Sequence, residues 1–259
     1  IVDNDFDILF VTETWLRDDD NVVINALLPA GYRFIRSKSS TGPRGGPNAG
    51  VMVVYKSSFK IKSHNEQSLT TFQLLECDIV VNNSFLNFLT VYRRPSSCSK
   101  SFIDEFGGAI LSSTIATDKV FIIGDCNIHV NDKNNPVTTE FLHTIESFNL
   151  CQRIEVPTHD RGNTLDVVIS NNDDKTIANL EVIQNHFSDH RTIVMTVRIE
   201  KPARPKKILT YRNLRAIDLE SFKYDLKSSE LTKNVDMAKT VAGKLNVLDS
   251  TLLPILDKH

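Results

Sequence analysis

Residues 119–127 read Lys-Val-Phe-Ile-Ile-Gly-Asp-Cys-Asn, and this run constrains the chain more than any other. Val120, Phe121, Ile122 and Ile123 form an apolar stretch long enough for one buried strand and too short for a helix. It stops at Gly124, and two polar side chains, Asp125 and Asn127, follow at alternate positions. Alternate residues of an extended chain point the same way. A carboxylate and an amide therefore face one cavity at the end of a core strand, where α/β folds place their chemistry. Taken alone, the run is more simply a strand entering an Asx-type turn. The rest of the chain shifts that balance.

At 259 residues the chain is one large domain or one domain with an appendage, long enough to bury a sizeable core. Its 41% hydrophobic and 24% charged residues are ordinary for a globular protein. The formal charge of -2, from 30 basic and 32 acidic residues, gives no global attraction to nucleic acid or membrane. A local basic face still suffices for phosphate contacts. Cys77, Cys98, Cys126 and Cys151 are widely spaced, with neither a disulfide framework nor zinc-knuckle spacing. They read as reduced thiols of an intracellular protein, with Cys126 a neighbour of the site rather than a nucleophile. No run reaches the roughly 18 apolar residues of a membrane span, and no signal peptide is present. Because the chain opens at Ile1 within a hydrophobic pattern, an upstream piece is expected to be missing.

The spacing predicts strands over Phe6–Val11, Val51–Tyr55, Phe72–Val81, Phe85–Tyr92, Leu165–Ile169, Ile177–Gln184 and Thr192–Ile199. Asn82-Asn83-Ser84 reads as a hairpin turn, and the glycines and prolines of Ser37–Gly50 predict a loop. Helices are predicted over Val22–Leu28, Ser101–Ile115 (weakened by Gly107-Gly108) and Thr138–Phe148. Strands followed by helices, twice over, indicate α/β or α+β layers. After residue 199 the character changes. Residues 200–217 form a basic, proline-bearing linker, and Leu219–Leu231 and Met237–Leu253 look helical. The stripe Met237, Val241, Leu245, Leu248, Leu252 reads as a packing face that belongs with a further domain. The expected division is thus 1–199, 200–217 and 218–259.

Several strand ends carry unusual polar residues: Glu13, Tyr92, Asp125 with Asn127, Asp166, and Asp189-His190. Each alone has a plain explanation as a surface acid, a turn residue or a solvated histidine. Their repeated position at the end of an apolar strand argues against coincidence. Thr12-Glu13-Thr14-Trp15-Leu16, Tyr92-Arg93-Arg94-Pro95, Gly124-Asp125-Cys126-Asn127, Thr164-Leu165-Asp166 and Ser188-Asp189-His190 occur in an order and spacing that resembles the endonuclease/exonuclease/phosphatase superfamily, over residues 5 to 199. The wording of the first two motifs, with Tyr211-Arg212 after the basic linker, is most similar to the endonuclease domain of non-LTR (LINE-type) retrotransposon polyproteins.

The resemblance implies a four-layer α/β sandwich, two mixed sheets face to face with helices outside. It implies a hydrolase, an Mg²⁺-dependent (or Mn²⁺-dependent) DNA-nicking endonuclease that leaves a 3'-hydroxyl to prime reverse transcription. Double-stranded DNA is the implied partner, with a reverse transcriptase domain in the same polyprotein and a nuclear place of action. Glu13 would be the main metal ligand with Asp189 near it. His190 would face the phosphate, oriented by Asp166, and Asp125 would position or deprotonate the water; either His190 or Asp125 could be the base. Asn127 would bond the phosphate or nucleophile and Tyr92 a phosphate oxygen. Arg44, Arg93, Arg94, Arg161 and Arg191 are candidates for backbone phosphates, each against a reading as solvated surface charge. Two departures stand out. The family's first strand, with its metal-binding Asn, precedes Ile1, and Cys126 and Arg94 replace an aromatic and a proline.

Three competitors remain. A phosphatase or RNA phosphodiesterase would share the scaffold, and a catalytically dead domain would only bind nucleic acid or a partner. His186 and His190, four apart like helical zinc ligands, form the third, but they lack a zinc protease's Glu and a strand follows at once.

Overall fold

In a computed structural model that describes residues 5–37, 40–41, 47–81, 84–173, 175–199 and 217–259, the run 120–123 lies in a strand inside a six-stranded sheet. The chain forms two compact units, Ile1–Pro202 and Ala203–His259. The first contains β1 (Ile8–Thr12), a 3₁₀ turn (Asp18–Asp20), α1 (Asn21–Leu27), β2 (Tyr32–Arg36), β3 (Ser40–Thr41), β4 (Pro47–Asn48) and β5 (Val51–Lys56). It continues through β6 (Lys60–Ser68), β7 (Phe72–Val81), β8 (Ser84–Arg93), α2 (Ser99–Ala116), β9 (Val120–Asp125) and α3 (Pro136–Ser147). It closes with β10 (Leu150–Gln152), β11 (Asp166–Asn171), β12 (Ile177–Ile183) and β13 (Thr192–Val197).

The large sheet has the order β10-β11-β9-β8-β7-β6, and only β8 and β9 run parallel. The crossover between them is α2. Strands β1-β5-β2 make an antiparallel three-stranded sheet and β12-β13 an antiparallel pair.

β9 shows why the central run is apolar without alternation. Val120 and Ile122 point into a core built with α2 and α3, while Phe121 and Ile123 point into a second core shared with Val51, Val53 and Phe10 of the smaller sheet. A strand covered on both faces needs apolar residues at every position. The first core also decides α2. Phe102, Phe106 and Ile110 are fully buried, and the rings of Phe102 and Phe106 stack with Phe141 of α3. Burial at about 1.5–3 kcal/mol per large side chain outweighs a helix cost near 1 kcal/mol for each of Gly107 and Gly108.

Besides the short β3 and β4, three strands escape the sequence pattern. β6 reads Lys-Ile-Lys-Ser-His-Asn-Glu-Gln-Ser and lies at the sheet edge, where pairing with β7, not an apolar run, makes it a strand. β2 carries arginines at its second and last positions, and β10 has three residues. Of the Ser37–Gly50 loop, the described part includes the short β3-β4 pair, and residues 38–39 and 42–46 lie outside the described residues. So do Asn82 and Asn83, between Val81 and Ser84, which pair as register partners, and 200–216, which include Tyr211 and Arg212.

The second unit has three helices where two were expected: α4 (Leu219–Ser228), α5 (Leu231–Met237) and α6 (Val241–Lys258). Asp218 caps α4 by accepting from the N–H groups of Glu220 and Ser221, and Asp225 pairs with Lys258 and His259. Of the apolar stripe, Met237, Val241, Leu245 and Leu248 are exposed and Leu252 is half-buried.

Candidate active site

Three adjacent strands of the large sheet end in one row. Asp125 of β9 is the register partner of Asp166 across the antiparallel pair with β11, and of Tyr92 across the parallel pair with β8. The approach of β8 to β9 requires Gly124. Its φ is +141°, and a Cβ there would lie 2.0 Å from the Val91 carbonyl oxygen. The glycine lets the strands stay together until Asp125 has entered the row.

Asp125 is 2% exposed. Burial first, and the facing Asp166 charge second, push its carboxyl up to about 7, against the opposing pull of the Asn127 N–H and of His190. Asn127 turns back onto it with φ 49°, a left-handed conformation that asparagine tolerates. Its backbone N–H donates to Asp125 Oδ1 at 2.8 Å and its Nδ2 to Asp125 Oδ2 at 2.7 Å. The same Nδ2 donates to the Arg93 carbonyl at 2.8 Å. The Asn127 amide is thus engaged in holding Asp125 rather than turned toward a phosphate.

Arg93 is not a phosphate-facing residue. It is 2% exposed, and its guanidinium donates to the carbonyls of Cys126, Asn127 and Ser97 and to Ser99 Oγ. The sheet position that made Arg93 follow Tyr92 also turns it inward, where it clamps the loop after β9. Cys126 beneath it is fully buried, and burial drives its thiol far above the usual range, so it is no nucleophile.

Glu13 leaves β1 with φ 54°, and Trp15 follows with φ 51°. Non-glycine residues at positive φ are sparse and gather at functional sites. The conformation is held from outside: Thr14 N–H donates to the Gly50 carbonyl at 3.2 Å and Trp15 N–H to the Ala49 carbonyl at 2.6 Å. Gly50 itself has φ +104°, and its N–H donates to Gln73 Oε1 at 2.8 Å. The Glu13 carboxylate then accepts from the Tyr92 hydroxyl at 2.5 Å. Tyr92, expected to bond a phosphate oxygen, here donates its hydrogen bond to Glu13 and keeps its proton. Burial, followed by that bond, raises its own pKa strongly.

On the other side of the row, His190 Nδ1 lies 2.9 Å from Asp166 Oδ2. That bond, the largest influence, raises the imidazole to about 9 despite burial. The turn before it is built by Asn185, whose Oδ1 accepts from the N–H groups of Phe187 and Ser188 and whose Nδ2 donates to the His190 carbonyl. Asp189 directly precedes His190 at the end of this turn. Its exposed carboxylate lies 3.2 Å from Nε2 of His159, a buried histidine that sequence reasoning missed because it ends no apolar strand.

Two groups of potential ligand atoms lie within 4.8 Å of one another among the described residues: Asp125, Asp166 and His190, and His159, Asp189 and His190. His186 belongs to neither, and it is exposed in the turn, which removes the zinc-protease reading. Arg161 is exposed, Arg94 is half-buried with its charge felt at Tyr92, and Arg191 is half-buried with one guanidinium N–H on the Pro157 carbonyl. Arg44 lies outside the described residues. Among the described residues no helix is long and apolar enough to cross a membrane.

Residues 1–190 match the family described as the Endonuclease/Exonuclease/phosphatase family. No curated protein sequence matches the chain. Among solved structures, the chain is similar to the endonuclease domain of TRAS1, a telomere-specific non-LTR retrotransposon, at TM-score 0.52 and 16% identity, covering 66% of this chain and 80% of that one. The human Nocturnin catalytic domain with bound sulfate anion is similar at TM-score 0.55 and 17% identity, over 76% of this chain and 83% of that one. TDP2 from D. rerio, in a complex with single-strand DNA product, is similar at TM-score 0.52 and 13% identity, over 74% and 86%. At these identities the structural likeness speaks for the fold alone.

Proposed function

Because the chain belongs to the endonuclease/exonuclease/phosphatase family, we propose that it hydrolyses phosphodiester bonds in nucleic acid as a metal-dependent endonuclease. The finer reading is a domain that nicks double-stranded DNA for a non-LTR retrotransposon, leaving a 3'-hydroxyl for a reverse transcriptase domain of the same polyprotein. The observation that carries the proposal is the row Tyr92–Asp125–Asp166 with His190 bonded to Asp166. The sulfate in one neighbour and the DNA product in another suit a fold whose strand ends receive phosphate oxyanions.

The order of the two shifted pKa values supports Asp125 as the base and His190 as the acid. Asp125, near 7, can accept a proton from water at neutral pH, whereas His190, near 9, keeps its own. Asp125 is thus the base that takes a proton from the attacking water. His190 presents its free Nε2–H to the phosphoryl oxygens or the leaving 3'-oxygen, while Asp166 fixes the ring. Asn127 holds the Asp125 carboxylate in place, and Tyr92 holds Glu13. Arg94, Arg161 and Arg191 are the remaining candidates for backbone phosphates.

The donor set fits a hard divalent cation: a buried carboxylate at Asp125, the half-buried Asp166 facing it, and further acids at Glu13 and Asp189. The Asp166 charge that helps to push the Asp125 carboxyl up marks a place where positive charge is favourable. Glu13 and Asp189 would hold Mg²⁺, or Mn²⁺. Such an ion supplies charge neutralisation at the phosphate and acidifies a bound water.

The test is nicking of supercoiled plasmid with Mg²⁺, with EDTA and Glu13→Ala as controls and polymerase extension of the nicks. The proposal expects relaxed circles that extend without end repair and that vanish in both controls. Nicking that persists in EDTA, or no nicking by the wild-type chain, contradicts it.

A further inference from the structure

The segment 158–160 is tied to both functional strand ends. Thr158 Oγ1 accepts from the N–H groups of Leu165 and Asp166 at 3.0 and 3.1 Å. On the opposite side, Arg191 N–H donates to the Thr158 carbonyl at 2.7 Å and Asp160 N–H to the Asp189 carbonyl at 3.0 Å. Between these bonds His159 and His190 face each other as an isolated antiparallel bridge. The His159 side chain is 11% exposed, and its ring meets that of His190 edge to face, 4.9 Å apart at 86°.

The hydrogen bonds of His159 determine what it can do. Its Nδ1 accepts from the Arg161 N–H at 3.0 Å. The ring proton is therefore on Nε2, the atom 3.2 Å from Asp189 Oδ2. An Nε2 that carries a proton has no lone pair for a metal, so His159 is a donor to Asp189, not a third ligand beside it. The Asp189 side chain is 69% exposed, and besides its own backbone N–H the His159 ring is the group that orients its carboxylate. His159 engages Oδ2, one of the two carboxylate oxygens.

We infer that His159 is a positioning residue: its Nε2–H fixes the Asp189 carboxylate for cation binding while its ring edge packs on His190. The inference rests on the proposed function to the extent that it takes Asp189 as a cation ligand. Partners of this kind, which orient a ligand, typically change metal affinity about 10–100-fold when removed.

The experiment uses the full chain and Mn²⁺ alone, without nucleic acid. Free Mn²⁺ is counted by electron paramagnetic resonance for wild type, His159→Leu, His159→Gln and Asp189→Asn, and circular dichroism reports folding. The expectation is about 10-fold weaker binding in His159→Leu and Asp189→Asn, with His159→Gln, which keeps an N–H at similar reach, close to wild type. Long-range ¹⁵N–¹H spectra of wild type should show His159 protonated at Nε2 and bare at Nδ1. Unchanged Mn²⁺ affinity in His159→Leu, or equal weakening in His159→Gln, overturns the inference, as does an Nδ1–H tautomer. If His159→Leu does not fold, the His159→Gln affinity and the tautomer decide in the same way. Unchanged affinity in Asp189→Asn removes Asp189 as a ligand and the inference with it. Dependence on His159 in a chain that cleaves no phosphodiester sustains the inference and sinks the functional reading alone.

Discussion

Asp125 and Asp166 stand directly opposite one another across β9 and β11, two carboxylates in register at the end of a buried sheet. Opposed like charges destabilise a strand pair, so the fold carries a cost at the place where its polar groups converge. The cost falls on Asp125, whose carboxyl is held near 7 while His190, bonded to Asp166, is held near 9.

Replacing Asp125 should therefore stabilise the protein, but only where Asp125 is ionised. Its folded pKa lies above the unfolded value of 3.8, so ionisation costs stability progressively from about 4 upward, in full above about 7. Three units at roughly 1.4 kcal/mol each, less about 1 kcal/mol for a mismatched bond to Asn127, leave an order of 3 kcal/mol. Urea unfolding of Asp125→Asn should show that gain at pH 8 and none at pH 4. An equal effect at both values would show that the carboxyl is not shifted.

The rate should be bell-shaped in pH. Activity rises as Asp125 loses its proton through about 7 and falls as His190 loses its own through about 9. The His190–Asp166 pair follows the same sign for stability: the His190 pKa is raised, so its contribution is full below about 6.5 and is lost through about 9. Bound cation would move the acid limb lower, so the profile is to be taken over a series of Mg²⁺ concentrations.

Asp166→Asn removes the bond that chiefly raises His190. The imidazole should then titrate well below 9, because burial remains and only the weaker pull of Asp125 and Asp189 is left against it. NMR titration of His190 reads this directly, and nicking at pH 8 should fall, by up to about 30-fold if the pKa returns to about 6.5, because the donor is then largely deprotonated. A His190 pKa still near 9 would assign the shift to some other group.

Arg93→Ala should unfold the site without touching the substrate. It removes donors from the Cys126, Asn127 and Ser97 carbonyls in a buried environment, which costs about 3 kcal/mol. Arg161→Ala, at an exposed position, should leave stability within about 0.5 kcal/mol and reduce the salt dependence of DNA binding by about one counterion. Denaturant melts and binding at several salt concentrations separate the two roles.

What could be read in the sequence was what depends on local pattern. β9 announced itself because both faces are covered. Asn127, however, meets Asp125 through a left-handed turn past the strand end, as an Asx-type turn does, and not through the alternation of an extended chain. The sequence could not show which strands lie beside β9, so the opposition of Asp125 and Asp166 and the row with Tyr92 appeared only with the register. Arg93 looked like a surface charge because composition does not report burial. His159 was invisible for a similar reason: its partner lies thirty residues on, in another loop, and no spacing rule connects them. β6 needed its neighbour to become a strand at all.

The most direct measurement is single-turnover nicking of supercoiled DNA in Mg²⁺ at pH 8 by wild type, Asp125→Asn, His190→Ala and the double variant, each shown folded by circular dichroism. The account predicts a loss of at least about 100-fold in each single variant and little further loss in the double, because base and acid act in one step on one phosphate. Wild-type rates in either single variant would contradict it, and place the chemistry away from the strand ends of β9 and β11.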